Sequence, residues 1–222
     1  MTTVFLDMNE TLLDLSALDP LFAGAFGDAG ARKQWFGLML QLALTHTVLG
    51  EYRDFSVLGR EALSALGEAR AQAVPDGLAG GVAATMKALP PHPDTRAGLE
   101  TLKAGGARLY ALTNNRQEVL DAQVASAGLA DLLDGAVSVD PGRVLKPGRG
   151  AYEYGLSRVG AQAADCWLVA AHGWDISGAR AAGLRTAFVT RPGQAQNPLM
   201  PADVAGSLAQ VAQRIVAASH SA

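Results

Sequence analysis

The spacing of apolar residues divides the chain into regions of different periodicity. Residues 2–7 (TTVFLD) form a short apolar run rich in β-formers. It stops at an acid and is followed by Asn9, Glu10 and Thr11, the pattern of a buried strand ending in a functional loop. From Leu12 to about Leu89 no comparable strand occurs. The apolar positions instead recur at helical spacing in LDPLFAGAF, RKQWFGLMLQLALTHTVLG, FSVLGREALSALG and GLAGGVAATMKAL, punctuated by Gly24, Gly27, Gly30, Gly50, Gly67, Asp76 and Gly77. This predicts an all-helical insertion.

Pro90, Pro91 and Pro93 form a stiff return, after which DTRAGLETLKAGG reads as a helix with Asp94 near its start and Gly105-Gly106 past its end. Strand and helix patterns then alternate. Strands are expected at 107–113, 135–140, 165–171 and 184–190, with helices at RQEVLDAQVASAG, GAYEYGLSRVG and DISGARAAG and a final amphipathic helix from about Ala202 to Ala218. The alternation predicts an α/β fold with a doubly wound, Rossmann-like parallel sheet, right-handed crossovers and helices on both faces. Residues 1–12 and 90–222 are the expected core, and 13–89 the helical insertion. Ligands in such sheets sit beyond the carboxyl ends of the strands.

Composition narrows the class. With 49% hydrophobic and 18% charged residues, the 222-residue chain has the balance of a folded globular protein. A formal charge of −3, with no run of basic residues, argues against nucleic acid as a partner. The apolar runs fall short of the ~18 residues of a membrane span, and no leader pattern precedes the first strand, so no membrane partner and a cytoplasmic location are expected. The single cysteine, Cys166, lies in CWLVAA and reads as a buried thiol.

Candidate chemistry gathers in four loops that follow strands: Asp7 with Asn9 and Thr11; Thr113 with Asn114 and Asn115; Lys146 with Tyr152; and His172 with Trp174 and Asp175. Singly these are turn, cap or surface residues. Successive βα units bring them to one cleft. Asp7 at a strand tip can present a carboxylate nucleophile if a cation keeps it ionised, and Lys146 is the available cation. The Thr11 hydroxyl and the backbone N–H groups after Asp7 can steady developing charge. Thr113, Asn114 and the following helix N-terminus offer donors to a substrate anion, and Asp175 can pair with Lys146 or orient a water.

The ordered segments VFLDMNETLLD, LYALTNN, LKPGRGAY and LVAAHGWDISGARAAG resemble the haloacid dehalogenase (HAD) superfamily, and within it the L-2-haloacid dehalogenase (type II) branch, over nearly the whole chain. The resemblance implies a HAD-type core with residues 13–89 as a helical cap. It also implies a hydrolase that removes halide from small 2-haloalkanoic acids through an aspartyl ester, with no metal or other cofactor and homodimerisation as an expectation. Carried across by position, Asp7 is the nucleophile, Thr11 its supporting hydroxyl, and Lys146, His172 and Asp175 complete the catalytic set. Thr113 and Asn114 are the substrate-carboxylate donors. Tyr152 keeps the family's spacing from Lys146, Trp174 belongs to its W-D pair, and Met8, Asn9 and Phe36 are expected along the substrate pocket.

The chain departs from the pattern at several points. Asn9 stands where phosphatases of the superfamily carry a proton-transferring acid, and Ala170 and Ala171 where they place a Mg²⁺-binding acid. A Mg²⁺-dependent small-metabolite phosphatase is therefore the second reading, and Mg²⁺ enters only there. A catalytically degenerate protein that binds a small acid is the third. Trp35-Phe36 lacks the halide-accepting Arg of the branch, and Arg32, one turn earlier, is the candidate replacement. Ala170 and His172 replace a Ser and an Asn. His172 reads as a general base, as a donor when protonated, or as a structural loop histidine. His46 reads as packed or surface, and His92 and His220 as solvent-exposed. The stripe Trp35, Phe36, Leu38, Met39 and Leu42 reads first as helix packing, with one or two members lining the pocket.

Overall fold

The computed structural model describes residues 2–219, so His220 lies outside them. A six-stranded sheet runs in the order β3-β2-β1-β4-β5-β6, every pair parallel: β1 Thr3–Leu6, β2 Arg108–Thr113, β3 Gly135–Ser138, β4 Cys166–Ala170, β5 Arg185–Val189 and β6 Val204–Gly206. β1 is central. Its residues Thr3 to Leu6 pair with Arg108 to Ala111 on one edge and Cys166 to Val169 on the other, and helices cover both faces of the sheet, so all four residues are buried and the run is unbroken. The strand order reverses between β1 and β4, the position at which doubly wound sheets open a crevice.

Four α-helices lie between β1 and the proline-rich return at Pro90: α1 Asp19–Phe26, α2 Ala31–Leu49, α3 Phe55–Arg70 and α4 Leu78–Lys87. They bury Phe22, Trp35, Met39, Leu58, Leu63, Val82 and Met86. Trp35 donates its indole N–H to Gly59 O at 2.8 Å across the α2–α3 contact, where a Cβ on Gly59 would lie 3.1 Å from Met39 Sδ. The entry and exit of this segment are stitched together. Asp14 N donates to Pro90 O at 2.8 Å, His92 N to Leu12 O at 2.9 Å, and the Thr95 hydroxyl to Leu12 O at 2.8 Å.

The remaining helices are α5 Thr95–Ala104, α6 Gln117–Ser126, α7 Arg149–Val159, α8 Gly173–Ala181 and α9 Leu208–Ser219. Val4, Leu6 and Leu109 of the sheet pack with Leu99 of α5, Leu120 of α6 and Val211 and Ile215 of α9. Phe5, Leu112 and Leu168, facing the other way, pack with Leu156 of α7 and Ile176 of α8. Cys166 is buried, as expected.

Two expectations need correction. The final helix begins at Leu208, not Ala202, and edge strand β6 precedes it. Asp203 Oδ2 accepts from both Thr186 N (2.8 Å) and Thr186 Oγ1 (3.0 Å), which pins the chain against β5 before the helix starts. Ser207 and Gln210 then form a capping box, with Ser207 N donating to Gln210 Oε1 at 2.9 Å and Gln210 N to Ser207 Oγ at 3.3 Å. His92 is half-buried rather than solvent-exposed, on the wall of a large cavity beside the strand ends.

Candidate active site

Asp7 extends β1 by one residue. Its N–H donates to Val169 O at 3.0 Å, and its carboxylate projects past the sheet edge. The chain then turns tightly, with Met8 O accepting from Thr11, Leu12 and Leu13 N–H, and Glu10 takes φ +59 to complete the turn. Thr11 ties the two central strand ends together: its hydroxyl donates to Asp7 Oδ2 at 2.6 Å and accepts from Ala171 N at 2.9 Å.

Lys146 is buried, and its three ammonium protons are all committed, to Asp7 Oδ1 (2.9 Å), Asp175 Oδ2 (2.6 Å) and Leu112 O (3.0 Å). Asn114 fixes the lysine from behind, accepting from Lys146 N at 2.8 Å and donating to Lys146 O at 3.2 Å. Tyr152 donates its hydroxyl to Asp175 Oδ1 at 2.6 Å, so both oxygens of that buried carboxylate are satisfied. A Cβ on Gly178 would sit 2.6 Å from Pro147 and from Tyr152 Oη, so only glycine lets α8 approach this closely.

Burial alone would raise the Asp7 pKa. The Lys146 ammonium, His172 and the Thr11 hydrogen bond outweigh it and hold the carboxyl well below the usual carboxylate range. Lys146 is raised in turn, because Asp175 and Asp7 overcome its desolvation. Asp175 is raised by burial and by the Asp7 charge, against the pull of Lys146. His172, at the N-terminus of α8, faces two carboxylates, with Nδ1 3.4 Å from Asp7 Oδ2 and Nε2 3.0 Å from Glu10 Oε2. These contacts overcome desolvation and push its pKa up to about 9. Its ring lies between Trp174, stacked at 5.2 Å, and Phe36 at 6.0 Å, faces that favour a cation.

Asp7, Asn9, Phe36, Leu40, Phe55, Thr113, Asn114, Lys146, His172 and Trp174 line a pocket of about 10 Å³, room for roughly one water. Phe36, Leu40, His172 and Trp174 also form the wall toward an outer cavity of about 830 Å³. Helices α2 and α3 thus supply Phe36, Leu40 and Phe55 to the same small space that the strand ends line.

The structure brings together Asp7, Thr11, Lys146, His172 and Asp175, with Asn9, Phe36, Thr113, Asn114 and Trp174 around the cavity. It separates others. Met8 is buried in the core and does not line the cavity; Tyr152 lies beneath Lys146 and is used by Asp175, not by a ligand. The Asn114 amide is committed to the Lys146 backbone, whereas the Thr113 hydroxyl accepts from Asn115 N at 3.2 Å and keeps its own proton to donate. Arg32 does not reach Asp7, because Asp19 (2.8 Å) and Glu10 (2.8 Å) hold it on the outer cavity. Sequence reasoning missed Glu10, which binds His172, Arg32 and, at 2.8 Å, the Gln194 amide. Its pKa is lowered because His172 and Arg32 outweigh burial. The only signal for it in the sequence was its place in the polar cluster after the first strand.

Among the described residues no group of three or more His, Cys, Asp or Glu side chains is arranged to hold a metal ion. Between Asp7 and Asp175, the two carboxylates nearest the strand tips, stands the Lys146 ammonium. Among the described residues no helix is long and apolar enough to cross a membrane.

A family model described as haloacid dehalogenase-like hydrolase matches residues 1–183. The chain is 30% identical over 194 residues to an (S)-2-haloacid dehalogenase of Xanthobacter autotrophicus, covering 86% of this chain and 76% of that protein. It is 28% identical over 187 residues to (S)-2-haloacid dehalogenase 1 of Pseudomonas sp. strain CBS-3, covering 83% and 82%. In fold it is similar to the L-2-haloacid dehalogenase of Xanthobacter autotrophicus solved with chloropropionic acid covalently bound, at a TM-score of 0.88 and 24% identity over 97% of this chain and 98% of that one.

Proposed function

The chain belongs to the haloacid dehalogenase-like hydrolases, and from that premise we propose that it is an (S)-2-haloacid dehalogenase-like hydrolase that removes halide from small 2-haloalkanoic acids through an ester on Asp7. The observation that carries the reading is a buried carboxylate kept ionised by a fully committed lysine and lining a small pocket that Phe36, Leu40, Phe55 and Trp174 share. A desolvated carboxylate is a stronger nucleophile toward carbon than a hydrated one, and apolar walls strengthen every charge interaction inside.

One Asp7 oxygen attacks the halogen-bearing carbon, and the carbon–halogen electron pair leaves with the halide. Water then attacks the ester carbonyl, so the hydroxy acid departs with the former Asp7 oxygen and Asp7 takes its oxygen from water. Thr113 donates to the substrate carboxylate, Thr11 and Lys146 aim Asp7, and Tyr152 and Asn114 position Asp175 and Lys146. Residues 13–89 act as a cap whose movement admits the acid, since the pocket of about 10 Å³ beside Asp7 has room for roughly one water. The reaction needs no metal or organic cofactor, and the protein is assigned to the cytoplasm, with a second copy of the chain as its expected partner. A Mg²⁺-dependent phosphatase finds less support, because an ammonium fills the space between Asp7 and Asp175 and Asn9 transfers no proton.

The test is chloride release from 2-chloropropanoate, lost in Asp7→Ala, with mass spectrometry after multiple turnovers in ¹⁸O-water. Label in Asp7 supports the ester. Label in the hydroxy acid alone places the water attack on the substrate carbon and rejects it.

A further inference from the structure

Within that reading the second step needs a proton acceptor beside the ester, and the groups lining the inner cavity narrow the choice. Asn9, Thr113, Asn114 and Trp174 do not take up a proton near neutral pH, and Phe36, Leu40 and Phe55 are apolar. Lys146 has all three protons committed, and no lone pair while charged. Asp175 is fully buried, lies off the cavity wall and has both oxygens occupied. What remains is His172, buried, with Nδ1 making no hydrogen bond and lying 3.4 Å from Asp7 Oδ2. Its other nitrogen is held at 3.0 Å by Glu10, whose remaining contacts are Arg32 on α2 and Gln194 in the loop after β5. Glu10 adopts its left-handed φ of +59, a conformation disfavoured by about 1–2 kcal/mol for an L-residue, and so brings its carboxylate against the imidazole.

We propose that His172 is the general base for hydrolysis of the Asp7 ester, converted from imidazolium to imidazole by the loss of charge on Asp7, with Glu10 as the positioning residue that fixes the Nε2–H tautomer. In the resting site the ring faces two carboxylates, Asp7 and Glu10, with Lys146 and Arg32 behind them, and stays protonated. Alkylation makes Asp7 neutral. The imidazolium then keeps only Glu10, which Arg32 shares, and releases one proton to solvent as halide departs.

Neutral Nδ1 next takes a proton from water as the water oxygen bonds to Asp7 Cγ and the carbonyl electron pair moves onto oxygen. Collapse breaks the bond from Cγ to the substrate-bearing oxygen, and the His172 proton passes to that leaving alkoxide. The remaining carboxyl proton returns to Nδ1, which restores the carboxylate–imidazolium pair. Over one turnover, haloacid and water become hydroxy acid, halide and a proton.

The experiment measures chloride release and intact mass for wild type, His172→Gln and Glu10→Gln with 2-chloropropanoate, folding being checked by circular dichroism. The expected result for His172→Gln is one chloride per active site, an acid adduct mapped to Asp7, and ester hydrolysis slowed by at least about 100-fold, the lower range for general-base catalysis. Turnover within about threefold of wild type overturns the inference, as does a folded variant that forms neither chloride nor adduct. For Glu10→Gln, which retains the imidazole, the acid limb of kcat is expected to move to lower pH with KM little changed; an unmoved limb overturns the role of Glu10 even if His172→Gln does not fold. A wild type that forms no adduct and releases no chloride fails at the earlier step, and is thereby distinguished from a failure of His172 alone.

Discussion

Raising the pH from 6.5 to 9 is expected to weaken the fold through one buried proton. His172 titrates at about 9 in the folded protein against 6.5 for an unperturbed histidine, because the attraction of Asp7 and Glu10 exceeds the penalty of burial. A pKa raised in the folded state contributes stability that is complete below 6.5 and disappears as pH rises through 9. The difference corresponds to about 3 kcal/mol, a large share of the roughly 5–15 kcal/mol that holds a domain together. For a chain of this length it represents a fall in Tm of about 6–12 °C. The assay is urea unfolding at constant ionic strength from pH 6 to 9.5, wild type against His172→Gln. Asp7 stays ionised across this range, and the Cys166 thiol, pushed up to about 11 by burial and by Asp165, acts equally in both proteins, so their difference isolates the imidazolium. Wild type should lose most of its advantage over the variant between pH 6.5 and 9. Two curves that run parallel over that interval would refute the assignment of a protonated His172 between two carboxylates.

Lys146→Met leaves Asp7 and Asp175 buried without their cation, so urea unfolding at pH 7.5 should show a loss of about 3–5 kcal/mol that shrinks toward pH 5 as the stranded carboxyls protonate. Tyr152→Phe strips Asp175 Oδ1 of its donor; stability should fall by about 1–3 kcal/mol and kcat should drop with KM little changed, since the hydroxyl is beneath the site rather than in it. Gly178→Ala drives a methyl to 2.6 Å from Pro147 and Tyr152 Oη, and should destabilise by about 1–3 kcal/mol, read by thermal melting, while displacing Lys146 enough to reduce activity.

Asp7, Lys146 and Asp175 were legible in the sequence because topology alone assembles them. Each follows a predicted strand or opens a predicted helix, and parallel βα units deliver such residues to one edge whatever their side chains do. Depth within the site was not legible. Tyr152 and Asn114 sit among the functional residues along the chain, yet they face the lysine from behind, a choice made by the rotation of α7 and by the turn after β2. Arg32 shows the same limit from the other side. Its helical position is compatible with the pocket, but Asp19 and Glu10, 13 and 22 residues earlier, capture it first. β6 was hidden because three small apolar residues suit a helix as well as an edge strand, although the Ser207-to-Gln210 capping box marked the true start of α9.

Glu10 and His172 make one device, and only charge counting reveals it. Around the cavity Asp7, Asp175 and Glu10 are anionic, while Lys146 and Arg32 supply two cations, with Asp19 drawing part of the Arg32 charge outward. A third anion beside two buried ones, itself only partly buried, would be costly without a third cation, and a protonated His172 restores the balance. Glu10 without His172 would strand a charge, and His172 without Glu10 would lose the partner that keeps its Nε2 proton in place. Replacing both together, as Glu10→Gly with His172→Asn, should therefore destabilise the fold by less than the sum of the two single changes. A double-mutant cycle at pH 7 with a coupling energy near zero would show that the two residues are independent neighbours and that the charge count does not govern the site.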